Sequence, residues 1–357
     1  MRKITKSVMC GDVQIGGNAP VSIQSMTNTD TRNVEATLAQ INALQEAGCH
    51  IVRLAVPDMH AVEAFADIRR RTEIPLVADI HFDYRLAIAA INAGADKIRI
   101  NPGNIGNDDR VSAVVNAAKF RHIPIRIGVN SGSLEKEIIE KYGSVTSEGL
   151  AESVINTVRR IESMNFDDIV ISVKSSDVLM NYQTCLRVSE LTKYPIHIGV
   201  TESGTPGAGT VKSSVGIGAL LLAGVGDTIR VSLTGDPVAE IPVAREILRC
   251  TGHFDCGIEY VSCPTCSRCR TDLPAITEEL KSKLESTEKS MIEKGRPKLT
   301  VAVMGCAVNG PGESKAADIG VACGDGRGVI FKGGKILTSA PENEIVDIMV
   351  KEIIKNI

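Results

Sequence analysis

PLVADIHFDYRLAIAAINAGADKIRINP, residues 75–102, contains the unit that decides the fold. Its first apolar run (75–82) predicts a buried strand, and the amphipathic stretch behind it (83–95) predicts a helix. The second apolar run (97–102) predicts another strand. A strand, a helix and a strand in this order are typical of two parallel strands joined by a right-handed crossover.

This unit recurs along roughly the first 250 residues. Apolar, β-branched runs predict strands at VSIQSM (21–26), HIVRLAV (50–56), PLVADIHF (75–82), KIRINP (97–102), PIRIGVN (124–130), DIVISVK (168–174), PIHIGVTES (195–203) and TIRVSLT (228–234). Helices are predicted between and after them at 33–48, 59–72, 83–95, 107–121, 147–165, 178–193, 212–224 and 237–250. Eight such units predict an α/β protein with an N-terminal (β/α)8 TIM barrel. The alternative is an open doubly wound sheet, but VQIGGNAP (13–20) lacks the G-x-G-x-x-G turn of dinucleotide-binding sheets.

The repeating pattern stops near residue 253. A chain of 357 residues exceeds the size at which one hydrophobic core usually stops growing, so two domains are expected. We place the barrel at 1–252 and a small C-terminal α/β domain at 253–357. Strands are predicted in the second domain at IEYVSC (258–263), LTVAVMGC (299–306), DIGVAC (318–323) and GVIFKGGKIL (328–337), the last with a turn at its two glycines, and helices at 273–294 and 342–357.

Composition narrows the function classes. A net charge of −3 argues against a nucleic-acid surface as the main partner. No apolar run reaches the roughly 18 residues of a membrane span, and the N-terminus lacks the apolar stretch of a signal peptide, so we expect a cytoplasmic protein. Ten cysteines in a reducing compartment suggest metal binding at some positions rather than disulfides. Four single cysteines are expected to be buried filler: Cys10, Cys49, Cys185 and Cys250.

Charged residues interrupt the apolar strands of the predicted barrel. They are Arg53, Asp79, His81, Arg99, Arg126, Lys174, Glu202 and Arg230. Hydrogen-bonding side chains lie close to them in the sequence: Asn101, Asn104, Asn130, Ser175 and Ser203. In a parallel barrel the active site lies at the C-terminal ends of the strands, where such residues are tolerated. Several cations at one mouth predict a phosphate or diphosphate ligand.

Each of these residues also has a structural explanation. Arg53 and Asp79 could form an internal salt bridge, and Arg230 could belong to a structural layer. Glu202 could act as a general acid or base, or it could position an arginine. His81 could bind substrate or donate a proton, although a single histidine at a strand end is more often a structural hydrogen-bonding group.

Two cysteine-containing turns predict a metal site in the second domain. SCPTCSRC (262–269) and GCAVNGPGE (305–313) suggest thiolate ligands at Cys263, Cys266, Cys269 and Cys306. An iron–sulfur cluster uses such spacings, and so does a structural zinc site. An iron–sulfur cluster predicts reductive chemistry beside the phosphate site. A zinc site predicts a zinc-stabilised aldolase or isomerase acting on phosphate sugars. A third possibility is a non-catalytic electron-transfer module.

The motifs also resemble a known family. PVSIQSMTNTDT, VADIHF, IRINPGN, IGVNSGSLE, SVKSS, GVTESG, KSSVGIGALL, DTIRVSLT, SCPTCSR and GCAVNGPGE occur in order over nearly the whole chain. In these stretches the chain resembles the 4-hydroxy-3-methylbut-2-enyl diphosphate synthases, the iron–sulfur enzymes of the methylerythritol phosphate route to isoprenoids, in their short bacterial form.

The resemblance implies a cofactor and a reaction. The cofactor is a [4Fe–4S] cluster held by Cys263, Cys266, Cys306 and the carboxylate of Glu313, with Cys269 outside the ligand set. The reaction is the two-electron ring opening and dehydroxylation of 2-C-methyl-D-erythritol 2,4-cyclodiphosphate to 4-hydroxy-3-methylbut-2-enyl diphosphate. It also implies a homodimer in which each cluster domain closes over the partner's barrel.

On this basis we assign roles to the charged residues. The diphosphate is predicted to be bound by Arg53, Arg99, Asn101, Arg126, Asn130, Lys174 and Ser175. Glu202 is the first candidate for proton handling, with Asp79 and His81 in support. Since no nucleotide-binding fingerprint is present, the electrons are expected from a flavodoxin or a ferredoxin.

Overall fold

The computed structural model describes residues 2–130, 134–306, 310–355 and 357, with the backbone only at residues 102, 103 and 130. The chain divides into two compact units, and the boundary falls between Phe254 and Asp255. No helix within these ranges has the length and hydropathy that crossing a membrane requires.

The first unit is a parallel barrel. A hairpin of β1 (Val8–Cys10) and β2 (Val13–Ile15) precedes it. The barrel strands are β3 (Ser22–Met26), β4 (Ile51–Ala55), β5 (Leu76–Asp79), β6 (Lys97–Ile100), β7 (Ile125–Asn130), β8 (Ile169–Lys174), β9 (His197–Gly199) and β10 (Thr228–Arg230). They form one sheet in the order β8-β7-β6-β5-β4-β3-β10-β9, and a parallel bridge between Ile171 and Ile196 joins its two edges. The predicted barrel is therefore confirmed over the open sheet.

Helices surround this barrel. They are α1 (Val34–Glu46), α2 (Met59–Arg70), α3 (Tyr84–Asn92), α4 (Pro102–Ile105), α5 (Asp108–Arg121), α6 (Lys136–Tyr142), α7 (Ser147–Glu162), α8 (Val178–Leu191), α9 (Pro206–Leu222) and α10 (Glu240–Cys250), with a 3-10 turn at Pro237–Ala239. Side-chain oxygens of Asp58, Asp83 and Asp177 accept backbone N–H groups at the starts of α2, α3 and α8. The short helices α4 and α6 were not predicted, and α9 begins six residues before the predicted start at 212, with Pro206 in its first turn.

The N-terminal hairpin packs against the barrel at the end opposite the mouth. Val8, Cys10 and Ile15 form a buried cluster with residues on three strands: Ile51 of β4, Val77 of β5 and Val170 of β8. These strand residues lie near the N-terminal ends of their strands. The base of the barrel is thus covered mainly by apolar packing, with the Lys97 side chain buried near Cys10, whereas Arg53, Arg99, Lys174 and Arg230 lie toward the other end.

The second unit is a five-stranded sheet with helices. Its strands are β11 (Ile258–Ser262), β12 (Leu299–Met304), β13 (Ile319–Gly324), β14 (Arg327–Lys332) and β15 (Lys335–Pro341), paired in that order. The helices are α11 (Leu273–Glu293), α12 (Gly310–Ala316) and α13 (Ile345–Ile354), after a 3-10 turn at Glu342–Glu344. Strands β11, β12 and β13 are parallel, and the last two pairings are antiparallel. Because β11 and β12 are parallel, the two cysteine-containing turns follow them at the same edge of the sheet.

Candidate active site

The C-terminal end of the barrel interior is lined by cations. One basic side chain comes from each of β4, β6, β7, β8 and β10: Arg53, Arg99, Arg126, Lys174 and Arg230. Arg126 is 1% exposed, Lys174 6% and Arg99 7%. Their charges act on one another, since all the other four contribute to lowering the pKa of Lys174. The structure therefore brings these predicted cations together.

Asp79 is the carboxylate at the centre of this group. Its oxygens lie 3.4 Å from Arg99 Nη1, 3.9 Å from Arg53 Nε and 3.6 Å from His81 Nε2. Burial alone would raise the pKa of Asp79, but Arg53, His81 and Arg99 outweigh it and hold that pKa well below its ordinary value. The internal salt bridge considered for Arg53 is present, and Asp79 is ionised at neutral pH.

Glu240, the first residue of α10, was missed by the sequence analysis. Its carboxylate lies 3.8 Å from Arg230 Nε and accepts hydrogen bonds from Ser25 Oγ at 2.9 Å and from the Leu233 N–H at 3.0 Å. Burial raises the pKa of Glu240, although Arg230 opposes the shift. In the sequence Glu240 reads as an ordinary acidic residue of a first helical turn, so only the fold reveals it. Arg230 therefore has a carboxylate partner in the barrel.

Arg126 and Lys174 have no such compensation. Nε and Nη1 of Arg126 are buried without a hydrogen-bond partner, and no carboxylate in the described ranges lies within ion-pair distance of Arg126 or Lys174. Burial, followed by the neighbouring cations, lowers the pKa of each well below its ordinary value. These two groups are the ones that an anion entering the mouth would satisfy.

The predicted proton-handling residues Glu202 and His81 differ from Asp79 in their exposure. Glu202 is exposed, three residues after β9, in a left-handed backbone conformation (φ +52°). No cation of the described residues lies within ion-pair distance of its carboxylate, so the structure does not place it among the mouth cations. The His81 side chain is 58% exposed beside Asp79. Of these two residues, His81 contacts a member of the charged group, Asp79, whereas the Glu202 side chain shows no such contact among the described residues.

The remaining predicted diphosphate ligands are amide and hydroxyl groups. Asn101 and Ser175 are buried at the ends of β6 and β8. The Ser175 hydroxyl accepts the N–H of Asp177 at 3.1 Å, which fixes the loop after β8. The side chain of Asn130 lies outside the described part of the structure. The backbone of Asn130 pairs with Lys174 in the strand register, so this position is at the mouth.

Two glycines of the strands make room for the cations. A Cβ atom on Gly128 would lie 2.6 Å from Arg99 Nε, and one on Gly199 would lie 3.0 Å from Lys174 Nζ and 2.6 Å from the Arg230 carbonyl oxygen. Real side chains do not approach so closely. In the sequence these residues look like ordinary strand glycines, and only their cross-strand neighbours show that they create space inside the barrel.

In the second unit, the two cysteine-containing turns are in direct contact. The Gly305 N–H donates a hydrogen bond to Cys263 Sγ at 3.3 Å, and the Arg270 N–H donates to the Gly305 carbonyl at 3.3 Å. Cys306 follows Gly305, so two predicted ligands lie at the same sheet edge. N–H donors to sulfur are a common means of stabilising and tuning cluster thiolates. In this respect the residues fit an iron–sulfur group.

The other candidate ligands lie around this contact. Cys266 is exposed, and Glu313 is an exposed residue of α12. Cys269 is packed against Gly305, with its Sγ 3.3 Å from the Thr271 carbonyl. Residues 307–309, between Cys306 and Glu313, lie outside the described residues, and within those described no three His, Cys, Asp or Glu side chains are grouped to hold a metal ion. The four-ligand set stays a prediction.

The single cysteines of the barrel follow the prediction with one exception. Cys10, Cys49 and Cys185 are buried, whereas Cys250 is exposed. Cys250 is the last residue of α10 and lies on its exposed face beside Glu246, so its prediction as buried filler was wrong.

Comparisons with known proteins cover the whole chain. Residues 5–245 match the model described as the GcpE TIM-barrel domain, and residues 259–355 match the GcpE protein C-terminal domain. The chain is 53% identical to the 4-hydroxy-3-methylbut-2-en-1-yl diphosphate synthase (flavodoxin) of Caldanaerobacter subterraneus subsp. tengcongensis, over 99% of this chain and 98% of that protein. It is 54% identical to the enzyme of the same name from Clostridium perfringens, over 99% of each.

Some solved structures match over about 70% of this chain. A dihydropteroate synthase from Stenotrophomonas maltophilia matches with a TM-score of 0.51 and 15% identity, over 70% of this chain and 98% of that one. A 3-dehydroquinate dehydratase from Geobacillus kaustophilus matches with a TM-score of 0.50 and 14% identity, over 70% of this chain and 99% of that one. At these identities the likeness concerns the fold and carries no information on the reaction.

Proposed function

The chain belongs to the GcpE family, and from this premise we propose that its barrel mouth binds a cyclic diphosphate that is reduced with electrons supplied through its second domain. It is an oxidoreductase that produces 4-hydroxy-3-methylbut-2-enyl diphosphate for isoprenoid precursor synthesis. The relatives favour this function over the zinc-stabilised aldolase, which they do not support.

The observation that carries the substrate site is the excess of buried positive charge. Arg53, Arg99, Arg126, Lys174 and Arg230 share two carboxylates, those of Asp79 and Glu240, among the described residues. Buried charges are stable only when they are paired, so the site requires further anionic oxygens. A diphosphate supplies them in the geometry that guanidinium groups bind bidentately.

The contacts distinguish the roles of these cations. Arg126 and Lys174, which lack a carboxylate partner, would bind the diphosphate most directly. Arg53 and Arg99 are held by Asp79, which would present their remaining N–H groups to the ligand. Arg230 is held by Glu240 and contributes mainly its charge. Such a fixed arrangement positions the carbon skeleton and turns binding energy into rate.

Proton handling is assigned by protonation state. Conversion of the cyclic diphosphate consumes two electrons and two protons, opens the ring and releases one hydroxyl group as water. Asp79 cannot supply a proton at neutral pH, because neighbouring positive groups keep its pKa low. It would instead orient Arg53, Arg99 and His81. Glu202 and His81, both exposed to solvent, remain the proposed proton donors.

The second domain would hold the cofactor. We assign a [4Fe–4S] cluster to Cys263, Cys266, Cys306 and Glu313, since the first and third thiols follow parallel strands at one sheet edge. When bound, the cluster supplies single electrons and an iron site with an exchangeable ligand. The Gly305 N–H would stabilise the Cys263 thiolate through the observed hydrogen bond. Cys269, packed against Gly305, would stay outside the ligand set.

The electron donor of this chain is a small redox protein in our proposal. The relatives' names contain flavodoxin, and we propose a flavodoxin, or a ferredoxin, as the electron donor of this chain. A homodimer, with each cluster domain closing over the partner's barrel, and a cytoplasmic location stay predictions from the sequence.

The test is anaerobic purification followed by an assay with reduced flavodoxin. We expect brown protein containing iron and sulfide, and formation of 4-hydroxy-3-methylbut-2-enyl diphosphate detected by mass spectrometry. Arg126→Met and Lys174→Met should abolish most turnover while the iron and sulfide contents stay unchanged. Loss of colour in either variant would mean that the residue is structural, and colourless wild-type protein containing zinc would overturn the cofactor assignment.

A further inference from the structure

Beneath the mouth cations, the barrel contains a second polar layer that the proposed function does not use. Ser22, Thr228 and His197 are aligned in the register of β3, β10 and β9. Gln24 lies two residues beyond Ser22 on the same face of β3, and Lys97 lies two residues before Arg99 on β6. All five are at most 4% exposed, and their side-chain nitrogen and oxygen atoms have no nitrogen or oxygen hydrogen-bond partner among the described residues. The Lys97 amine does interact with the Cys10 thiol.

Lys97 is the most unusual member of this layer. It is fully buried, and no carboxylate of the described residues forms an ion pair with it. The titratable and charged groups that act on it are Cys10, Arg53, Arg126 and His197. Burial raises the pKa of Cys10 to about 11, so it is a neutral thiol at pH 7 and not a counter-ion. Burial also lowers the pKa of Lys97, to about 8.

Lys174 is in a similar position closer to the mouth. The groups that act on it from the surrounding elements are Arg53, Arg99, Arg126, Arg230, His197, Cys185 and Glu240. Glu240 is the carboxylate in this set, and it already contacts Arg230 and accepts two other hydrogen bonds. Two primary amines are thus enclosed among guanidinium groups, and neither has an anionic partner of its own.

We propose that binding of a diphosphate to this barrel is coupled to proton uptake by the two buried amines, Lys174 and Lys97. The inference rests on the proposed function, because it requires an anion at the mouth. An amine surrounded by cations in a poorly solvated site holds its proton weakly. The negative charges of the ligand reverse the sign of the local potential, so both amines gain affinity for protons as the ligand binds.

Linkage makes the coupling reciprocal. If ligand binding raises the proton affinity of the amines, a rise in pH must weaken ligand binding by the same coupling free energy. Lys97 lies about 7 Å below Arg99 along the strand, since two residues span roughly that distance. Its share of the uptake is therefore smaller than that of Lys174. The guanidinium groups are assigned no share of the uptake, because arginine stays protonated in proteins even where burial lowers its pKa.

Isothermal titration calorimetry tests the coupling. The full-length protein is titrated anaerobically with 2-C-methyl-D-erythritol 2,4-cyclodiphosphate, without an electron donor, at pH 8.5 in HEPES, Tricine and Tris. These buffers have different ionisation enthalpies, so the slope of the observed enthalpy against them gives the number of protons taken up. We expect an uptake of about one proton per ligand and a Kd that rises up to roughly tenfold per pH unit between pH 8 and 9.5.

Matched variants show whether Lys97 takes up part of the protons. Lys97→Met should take up fewer protons than the wild type, whereas Lys119→Met, whose side chain contacts the Met164 carbonyl outside the barrel, should match the wild type. If Lys97→Met does not fold by circular dichroism, Lys97→Gln takes its place. Uptake in the Lys97 variant equal to that of the wild type would overturn the assignment to Lys97.

The outcomes separate this inference from the function on which it rests. Binding whose enthalpy is the same in all three buffers, with a Kd independent of pH, overturns the proton coupling and leaves the substrate site intact. Absence of any binding in every buffer overturns the substrate site itself.

Discussion

Gly128→Ala is the substitution whose effect the structure defines most closely. The added Cβ would lie 2.6 Å from Arg99 Nε, 2.9 Å from Nη2 and 3.1 Å from Cζ. Non-bonded atoms pack at about 3.5 Å or more, so the guanidinium group must move by roughly 1 Å. Arg99 Nη1 is already 3.4 Å from Asp79, at the limit of a hydrogen bond, and this displacement breaks the contact.

The expected loss follows from the bond that Arg99 would make to the ligand. A hydrogen bond to a charged group contributes about 1.5–3 kcal/mol, which corresponds to roughly a 10- to 100-fold loss in kcat/KM. Most of it should appear in KM, because Arg99 holds the diphosphate and not the reacting carbon atoms. The backbone of Gly128 lies outside the left-handed region, so alanine adds no backbone strain there.

Steady-state kinetics with reduced flavodoxin measure the effect, together with iron content and thermal unfolding. Gly207→Ala is the matched control, since nothing lies within 4 Å of a Cβ at that position. In an Arg99→Met background, Gly128→Ala should add no more than about 0.5 kcal/mol, because its target is absent. Wild-type kinetics for Gly128→Ala, or an equal loss in both backgrounds, would refute the reasoning.

Three further predictions follow from the buried charges and the cysteine-containing turns. Lys97→Met should raise the free energy of unfolding by about 3 kcal/mol at pH 7, because burial lowers the pKa of Lys97 from 10.5 to about 8 and each unit is worth about 1.36 kcal/mol. This increase in the free energy of unfolding should persist below pH 8 and vanish near pH 10.5. Equal denaturant midpoints of Lys97→Met and the wild type at pH 7 would contradict the prediction. Asp79→Asn should destabilise the barrel by about 3–5 kcal/mol, since Arg53 and Arg99 lose their counter-ion; a thermal midpoint like that of the wild type would show that the pair is not stabilising. Glu313→Ala should keep iron and sulfide but lose turnover, and unchanged activity would remove Glu313 from the ligand set.

The sequence predicted the barrel well because its signal is local. Each strand is a short apolar run followed by an amphipathic helix, and Ile98, Ile127 and Ile171 indeed pack into the core between strands and helices. The mouth cations were predictable for the same reason, since a charged residue inside an apolar run needs a special environment. Short helices such as α4 and α6 were missed, because four and seven residues contain too little periodicity.

The sequence could not predict which side chains contact one another inside the barrel. Glu240 lies ten residues after Arg230 and contacts it only because the chain turns back onto β3 and β10. Gly128 matters because of Arg99 on the neighbouring strand, and no pattern within β7 indicates it. The same holds for His197, whose isolation from hydrogen-bond partners is a property of the enclosed barrel interior.

The hairpin at the base of the barrel bears on how small molecules enter and leave. Val8, Cys10 and Ile15 are buried against the strands at the end opposite the mouth, so a molecule bound by the cations reaches them from the mouth. If the proposed diphosphate site is correct, substrate and product bind the same cations, and the product must leave the mouth before the next substrate binds. Inhibition by the product should accordingly be competitive with the starting compound.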